Sequence, residues 1–121
     1  MKSHAAVAAV LLQRERGLAS GEEFVRSVLE DVEASALPEN EKALLRFVDK
    51  VNSDSQHIGP PDIDALHAAG WTDEALYYAV TVCALFNFYN RWIDATGVHA
   101  LSDEAHRQGG LRSADSGYVR K

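Results

Sequence analysis

The sequence predicts an all-α protein of four or five helices packed around one long, buried helix. Three observations carry this. Between Thr72 and Val98 runs a stretch in which every residue from Ala75 to Phe86, except Thr81, is apolar or aromatic. A helix apolar on all sides has to be covered on all sides. Elsewhere the apolar residues recur at three- and four-residue spacing, the signature of one helical face. No stretch alternates apolar with polar residues as a half-buried strand does.

Residues 3–16 are rich in alanine and favour a helix, which Gly17 stops. Ser20-Gly21-Glu22-Glu23 has the form of a capping box, with serine at the N-cap and glutamate three residues on. Behind it Phe24, Val25, Val28, Leu29 and Val32 make one apolar stripe. Pro38 suits a first helical turn, and Glu39 and Glu41 suit the positive end of the helix dipole. Leu44, Leu45, Phe47, Val48 and Val51 form the buried face of that helix. Asn52-Ser53-Asp54-Ser55 and Gly59-Pro60 read as a loop. Pro61 to Ala69 is a short helix with Ile63 and Leu66 inward and Gly70 as its C-terminal cap. Thr72 is the natural N-cap of the long helix, Asp73 and Glu74 occupy its first turn, and Gly97 ends it. After Leu101 the chain holds three glycines, mixed charge and two sizeable apolar residues, Leu111 and Tyr118. Residues 102–121 therefore read as a polar tail, and residues 1–101 as one helical domain.

The composition narrows the function. Of 121 residues 46% are hydrophobic, enough for one domain with a real core. The net charge of −6 and the scattered basic residues argue against a nucleic-acid partner. Ala65 to Val80 imitates a helix-turn-helix, but its second helix opens on Asp73 and Glu74 and then turns apolar, which offers nothing to DNA. Residues 5–12 lack the flanks of a signal peptide, and no run reaches the roughly 18 apolar residues of a membrane span. Cys83 is the only cysteine, so no intramolecular disulfide and no cysteine-based zinc site is expected. That usage fits a reducing, cytoplasmic setting.

Three pieces in order and spacing carry a family resemblance: Leu37-Pro38 with Glu41-Lys42-Ala43-Leu44-Leu45, then Leu66 to Glu74 (LHAAGWTDE), then Phe86-Asn87-Phe88-Tyr89-Asn90-Arg91. Over Leu37 to Val98 the chain resembles the second half of the carboxymuconolactone decarboxylase and alkylhydroperoxidase-D-like superfamily, nearest its peroxidase-related branch. The resemblance implies an all-α, oligomeric protein that reduces hydroperoxides with a thiol pair, an antioxidant oxidoreductase needing no metal or other cofactor. The family chemistry rests on a Cys-x-x-Cys helix followed, four residues later, by a histidine acting as proton relay. Ser3-His4-Ala5 matches the end of that motif, which makes His4 the one catalytic candidate. Both cysteines would fall before Met1, so the chain is expected to be truncated relative to the family. A dithiol peroxidase needs two thiols within disulfide reach. Weak or absent turnover is therefore expected.

The other candidates have plain structural readings. His4 on a terminal turn is an exposed residue unless the motif is present. Cys83, among Val80, Val82, Ala84 and Phe86, reads as a small buried hydrophobe. Asn87, Asn90, Arg91 and Asp94 would anchor the helix end, with Arg91 and Asp94 paired at i,i+3, or else line a pocket. His99 and His106, beside Asp103 and Glu104, belong to a solvated tail sooner than to a metal site. Tyr77, Tyr78, Phe86, Phe88, Tyr89 and Trp92 read as core and subunit contact. A homo-oligomer, most simply a dimer, is expected on the long or the N-terminal helix, with a thiol reductant as a second partner. Two other functions stay open: a non-catalytic helical oligomerisation or binding module, and a carboxymuconolactone-decarboxylase-like enzyme working through His4, His57 or His67 as general base.

Overall fold

The structure, a computed structural model, describes residues 2–117. It is all-α. Helices α1 (Lys2–Arg16), α2 (Gly21–Glu30), α3 (Glu39–Asp54), α4 (Pro60–Ala68), α5 (Asp73–Thr96) and α6 (Asp103–Ser116) are joined by turns, with a short 3-10 turn at Ser55–His57. No strand occurs among the described residues. The chain divides into two compact units. One joins residues 1–36 to residues 99–121, and the other is Leu37–Val98.

In the second unit α3 packs on α4 and on α5. Phe47, Leu66 and Leu76, one from each helix, are buried together, with Ala43, Leu44, Val51, Ile58, Ile63, Trp71 and Val80 around them. The helix ends are set by local chemistry. Pro38 precedes α3, and its carbonyl accepts from the N–H groups of Glu41 and Lys42, each at 3.0 Å. Thr72 caps α5, its hydroxyl accepting from the Ala75 N–H at 3.2 Å. At the end of α4, Gly70 takes the left-handed conformation (φ +94°) that a side chain disfavours. There the Gly70 N–H donates to the His67 carbonyl at 2.9 Å and the Trp71 N–H to that of Leu66 at 3.0 Å. This is a Schellman close, and its usual apolar contact is supplied by Leu66 and Trp71, which share the core. Trp71 also donates its indole N–H to the Asn40 carbonyl at 2.7 Å, tying the α4–α5 corner to α3. Lys50 on α3 reaches Asp62 on α4 at 2.7 Å. The other oxygen of Asp62 accepts from the Gly59 N–H at 2.9 Å, fixing the start of α4.

The first unit packs α1 against α2 and, more extensively, against α6. Ser20 caps α2, accepting from the Glu23 N–H at 3.2 Å. The helices meet through the absence of side chains. A Cβ added to Gly21 would lie 1.8 Å from the Ala9 carbonyl oxygen, and one added to Gly110 would lie 2.8 Å from Ala6 Cβ. Ala9 is buried at the Gly21 crossing, and Val7 is buried elsewhere on α1. Ion pairs between Arg14 and Asp115 at 2.7 Å and between Arg107 and Glu22 at 3.5 Å cross the unit. Exposed pairs of this kind contribute about 0–1 kcal/mol each.

Two features depart from what the sequence alone indicates. The stretch read as a polar tail folds as α6, where Gly110 lets the helix lie close on Ala6 of α1. Tyr118, also read as part of that tail, lies outside the described residues. The long helix is buried along one side only. Leu76 and Cys83 are buried on α5, whereas Tyr77, Tyr78, Val82, Leu85, Phe88 and Tyr89 are at least half exposed. Only α3 and the short α4 belong to the same unit, too little surface to cover a helix of 24 residues all round.

Candidate functional site

Cys83 is where the second unit brings reactive and polar side chains together. It is buried on α5, and its thiol donates to Asn52 Oδ1 at 3.1 Å across the α3–α5 interface. Asn87, one helical turn on, donates through Nδ2 to that same Asn52 oxygen and to the Cys83 carbonyl at 3.1 Å. Arg91, a further turn on, donates to Asn87 Oδ1 at 2.8 Å and to the Asn87 carbonyl at 3.1 Å. Cysteine, two amides and a guanidinium thus form one chain of bonds along the side of α5 that faces α3. The thiol is one link of a hydrogen-bonded network across the α3–α5 interface. The cluster ties α3 to α5. Arg91 turns to Asn87 and not to Asp94, the partner its i,i+3 spacing offered. Asn90 and Asp94 are exposed.

Asn52 is the member that the sequence concealed. It stands in a run of small polar residues that reads as a loop, yet α3 continues through it to Asp54. The available signal was spacing, since Asn52 follows Val48 by four residues and Leu45 by seven.

His4 lies in the first turn of α1 and is exposed. It belongs to the first unit and Cys83 to the second. The first unit has a groove of about 270 Å³ floored by Ala5, Ala6, Ala9, Val25 and Leu29 and rimmed by Glu22, Arg26, Asp103 and Arg107. That lining holds no thiol, hydroxyl or imidazole, and His4 is not part of it. The remaining histidines of the reading are dispersed. His57 pairs with Asp54 and His67 with Asp73, at 2.7 Å in the second case, and both are exposed. His106 is half-buried on α6. Among the described residues no three His, Cys, Asp or Glu side chains come close enough to share a metal ion.

Asp62 has a shifted affinity for its proton. The hydrogen bond from Lys50, and next the Gly59 N–H, hold the Asp62 carboxyl below the ordinary aspartate value, while partial burial opposes them. This is a structural ion pair that fixes α4, with no substrate-sized opening beside it among the pockets described.

The outer side of α5 is a stripe of exposed apolar and aromatic side chains. Tyr77 is 69% exposed, Phe88 61% and Trp92 54%, and Tyr78, Val82, Leu85, Tyr89 and Ile93 continue the stripe. Edge-to-face pairs set the rings, Tyr77 with Tyr78 at 5.9 Å between centroids and Phe88 with Tyr89 at 5.4 Å. Among the described residues no helix is long and apolar enough to cross a membrane, α5 included.

Comparison with models of known protein families, with characterised proteins and with solved structures finds no match to this chain. Fold and site define it as an all-helical protein with a bonded, buried thiol and an uncovered aromatic helix face.

Proposed function

We propose that this chain is a non-catalytic helical binding module of alkylhydroperoxidase-D-like descent, and that it binds through the outer face of α5. The observation that carries the reading is that face: a continuous band of half-exposed aromatic and aliphatic side chains on a long helix. Apolar patches of this size on a soluble chain mark interaction surfaces. One further observation goes with it: the Cys83 thiol is buried and bonded to Asn52. A lactone-decarboxylase-like activity has less support. It needs a general base in a closed pocket, and His57 and His67 are exposed and paired with carboxylates. A cytoplasmic location goes with the single free cysteine.

The test is hydroperoxide consumption by the native chain and by Cys83→Ser, with a small dithiol as reductant. The expected rate for both is the uncatalysed background. Turnover by the native chain that disappears in Cys83→Ser would restore the thiol peroxidase and overturn the non-catalytic reading.

A further inference from the structure

We propose that the groove of the first unit binds a medium-chain carboxylate, its extended apolar tail laid along α1 between α2 and α6 and its carboxylate on Arg26. This site is independent of the α5 face, which belongs to the other unit.

The groove follows from how the unit is built. Helices α2 and α6 each pack on α1 and not extensively on one another. They stand as two walls with α1 between them. There α1 presents alanine, and Ala6 and Ala9 make a floor with no side chain beyond Cβ. Arg107 of α6 reaches across to Glu22 of α2 at 3.5 Å. The hollow of about 270 Å³ lies on one side of this bridge, and a second of about 230 Å³ on the other. The two share Ala6, Ala9, Glu22 and Arg107, so they are parts of one groove that runs past the bridge. The bridge is loose. Arg107 also holds Glu104, at the shorter distance of 2.9 Å, and can release Glu22 while remaining paired.

Length sets the size of the tail. The first hollow begins at Ala5 and the second reaches Gln13. Eight residues of helix span about 12 Å, the length of an extended alkyl chain of roughly ten carbons. Val25 and Leu29 line one end of that path, and Val10 and Leu111 the other. Apolar walls with a few placed polar groups are the usual make-up of a small-molecule site.

Charge chooses the head group. Of the two cations on the rim of the first hollow, Arg107 is committed to Glu22 and Glu104. Arg26 makes no hydrogen bond or ion pair among the described residues. An apolar groove that carries an unpaired guanidinium matches an apolar chain that carries a carboxylate, which a guanidinium binds through two parallel N–H groups. The protein as a whole has a net charge of −6, so general attraction favours cations. Preference for an anion has to come from this local site.

The experiment is calorimetric titration of the full chain with sodium hexanoate, octanoate, decanoate and dodecanoate, each below its micelle-forming concentration. One decanoate per chain is expected. Affinity should rise about two- to fourfold per methylene up to roughly ten carbons and then level off, where the walls end. Decyltrimethylammonium, the same chain on a cationic head, should bind about tenfold more weakly, and Arg26→Glu should reverse that preference. Ala5→Leu places a larger side chain in the first hollow and should weaken decanoate at least about tenfold. The close glycine crossings of α1 are at Ala6 and Ala9, so Ala5 is clear of them, and unchanged far-ultraviolet circular dichroism checks that both variants fold. Equal binding of the two head groups, decanoate binding that survives either variant, an affinity that does not depend on chain length, or no saturable binding would each overturn the proposal.

Discussion

Adding one methyl group at each of two adjacent glycines of α6 probes how this helix is held. Gly109 and Gly110 share a helix interior, so replacing either by alanine gains the same intrinsic helix preference, about 1 kcal/mol. Their surroundings differ. A Cβ on Gly109 meets nothing within 4 Å, whereas one on Gly110 meets Ala6 Cβ at 2.8 Å and the Ala6 backbone at 3.0 and 3.2 Å. Ordinary contact begins near 3.4 Å, so α6 must retreat from α1 by several tenths of an ångström, and the obstacle is backbone that has no rotamer to yield. Overpacking of this kind costs about 1–3 kcal/mol. Gly109→Ala is therefore expected to stabilise the first unit. Gly110→Ala should lie between neutral and about 2 kcal/mol destabilised, once its helix preference is offset against the clash. The gap between the two variants, about 1–3 kcal/mol, is free of the propensity term. At roughly 4–8 °C per kcal/mol for a unit of this size, it appears as a clear separation of melting temperatures by circular dichroism. If Gly110→Ala melts as high as Gly109→Ala, α6 does not rest on α1 at this crossing, and the account of the first unit fails.

Further expectations concern the second unit. Leu66 is 2% exposed at the meeting of α3, α4 and α5, so Leu66→Ala should cost about 2–5 kcal/mol, read as a lower urea midpoint with unchanged slope. Asp62 has a folded pKa below its unfolded value, so its contribution is present above the unfolded value of about 4 and lost as pH falls through the folded one. The stability difference between the native chain and Asp62→Asn should be widest near neutrality and close under acid conditions, and urea titrations at several pH values would contradict this if the gap were constant. Cys83 should react with a chromogenic disulfide at least about tenfold more slowly in the native chain than in denaturant, because the sulfur must first be uncovered. Equal rates would mean that the thiol is open.

Much of the fold was legible because helix ends are local. Ser20, Thr72, Gly70 and Gly97 act on backbone groups three to five residues away, and a sequence read in order displays such partners. Helix α6 was not legible, since the usual signal is a stripe of large apolar residues and this helix docks by having none at Gly110. The exposure of α5 was hidden for another reason. Its composition states what it can bury, but how much is buried depends on which helices share its unit. The Cys83 cluster falls between these cases. Cys83 is buried as the apolar run suggested, but its neighbours Val82 and Ala84 are exposed, so the side of α5 that α3 covers decides it. Its bond to Asn52 spans 31 residues and needs the α3–α5 pairing to be known first. His4 came from a resemblance in a three-residue match, and the structure places it exposed in the first turn of α1.

The order of the two units along the chain has a consequence for synthesis. The second unit is one continuous stretch that ends at Val98, while the first is split around it and needs α6 to close on α1, a separation reflected in the 101 residues between Arg14 and Asp115. As the polypeptide leaves the ribosome, the α3–α5 core has all its parts while α1 still awaits its main partner. Long-range closure is slow relative to local pairing. Helix α1, with Val7, Ala9 and Val10 uncovered in that interval, is the segment through which a nascent chain of this protein is most open to chaperones or to mispairing with the apolar band of α5.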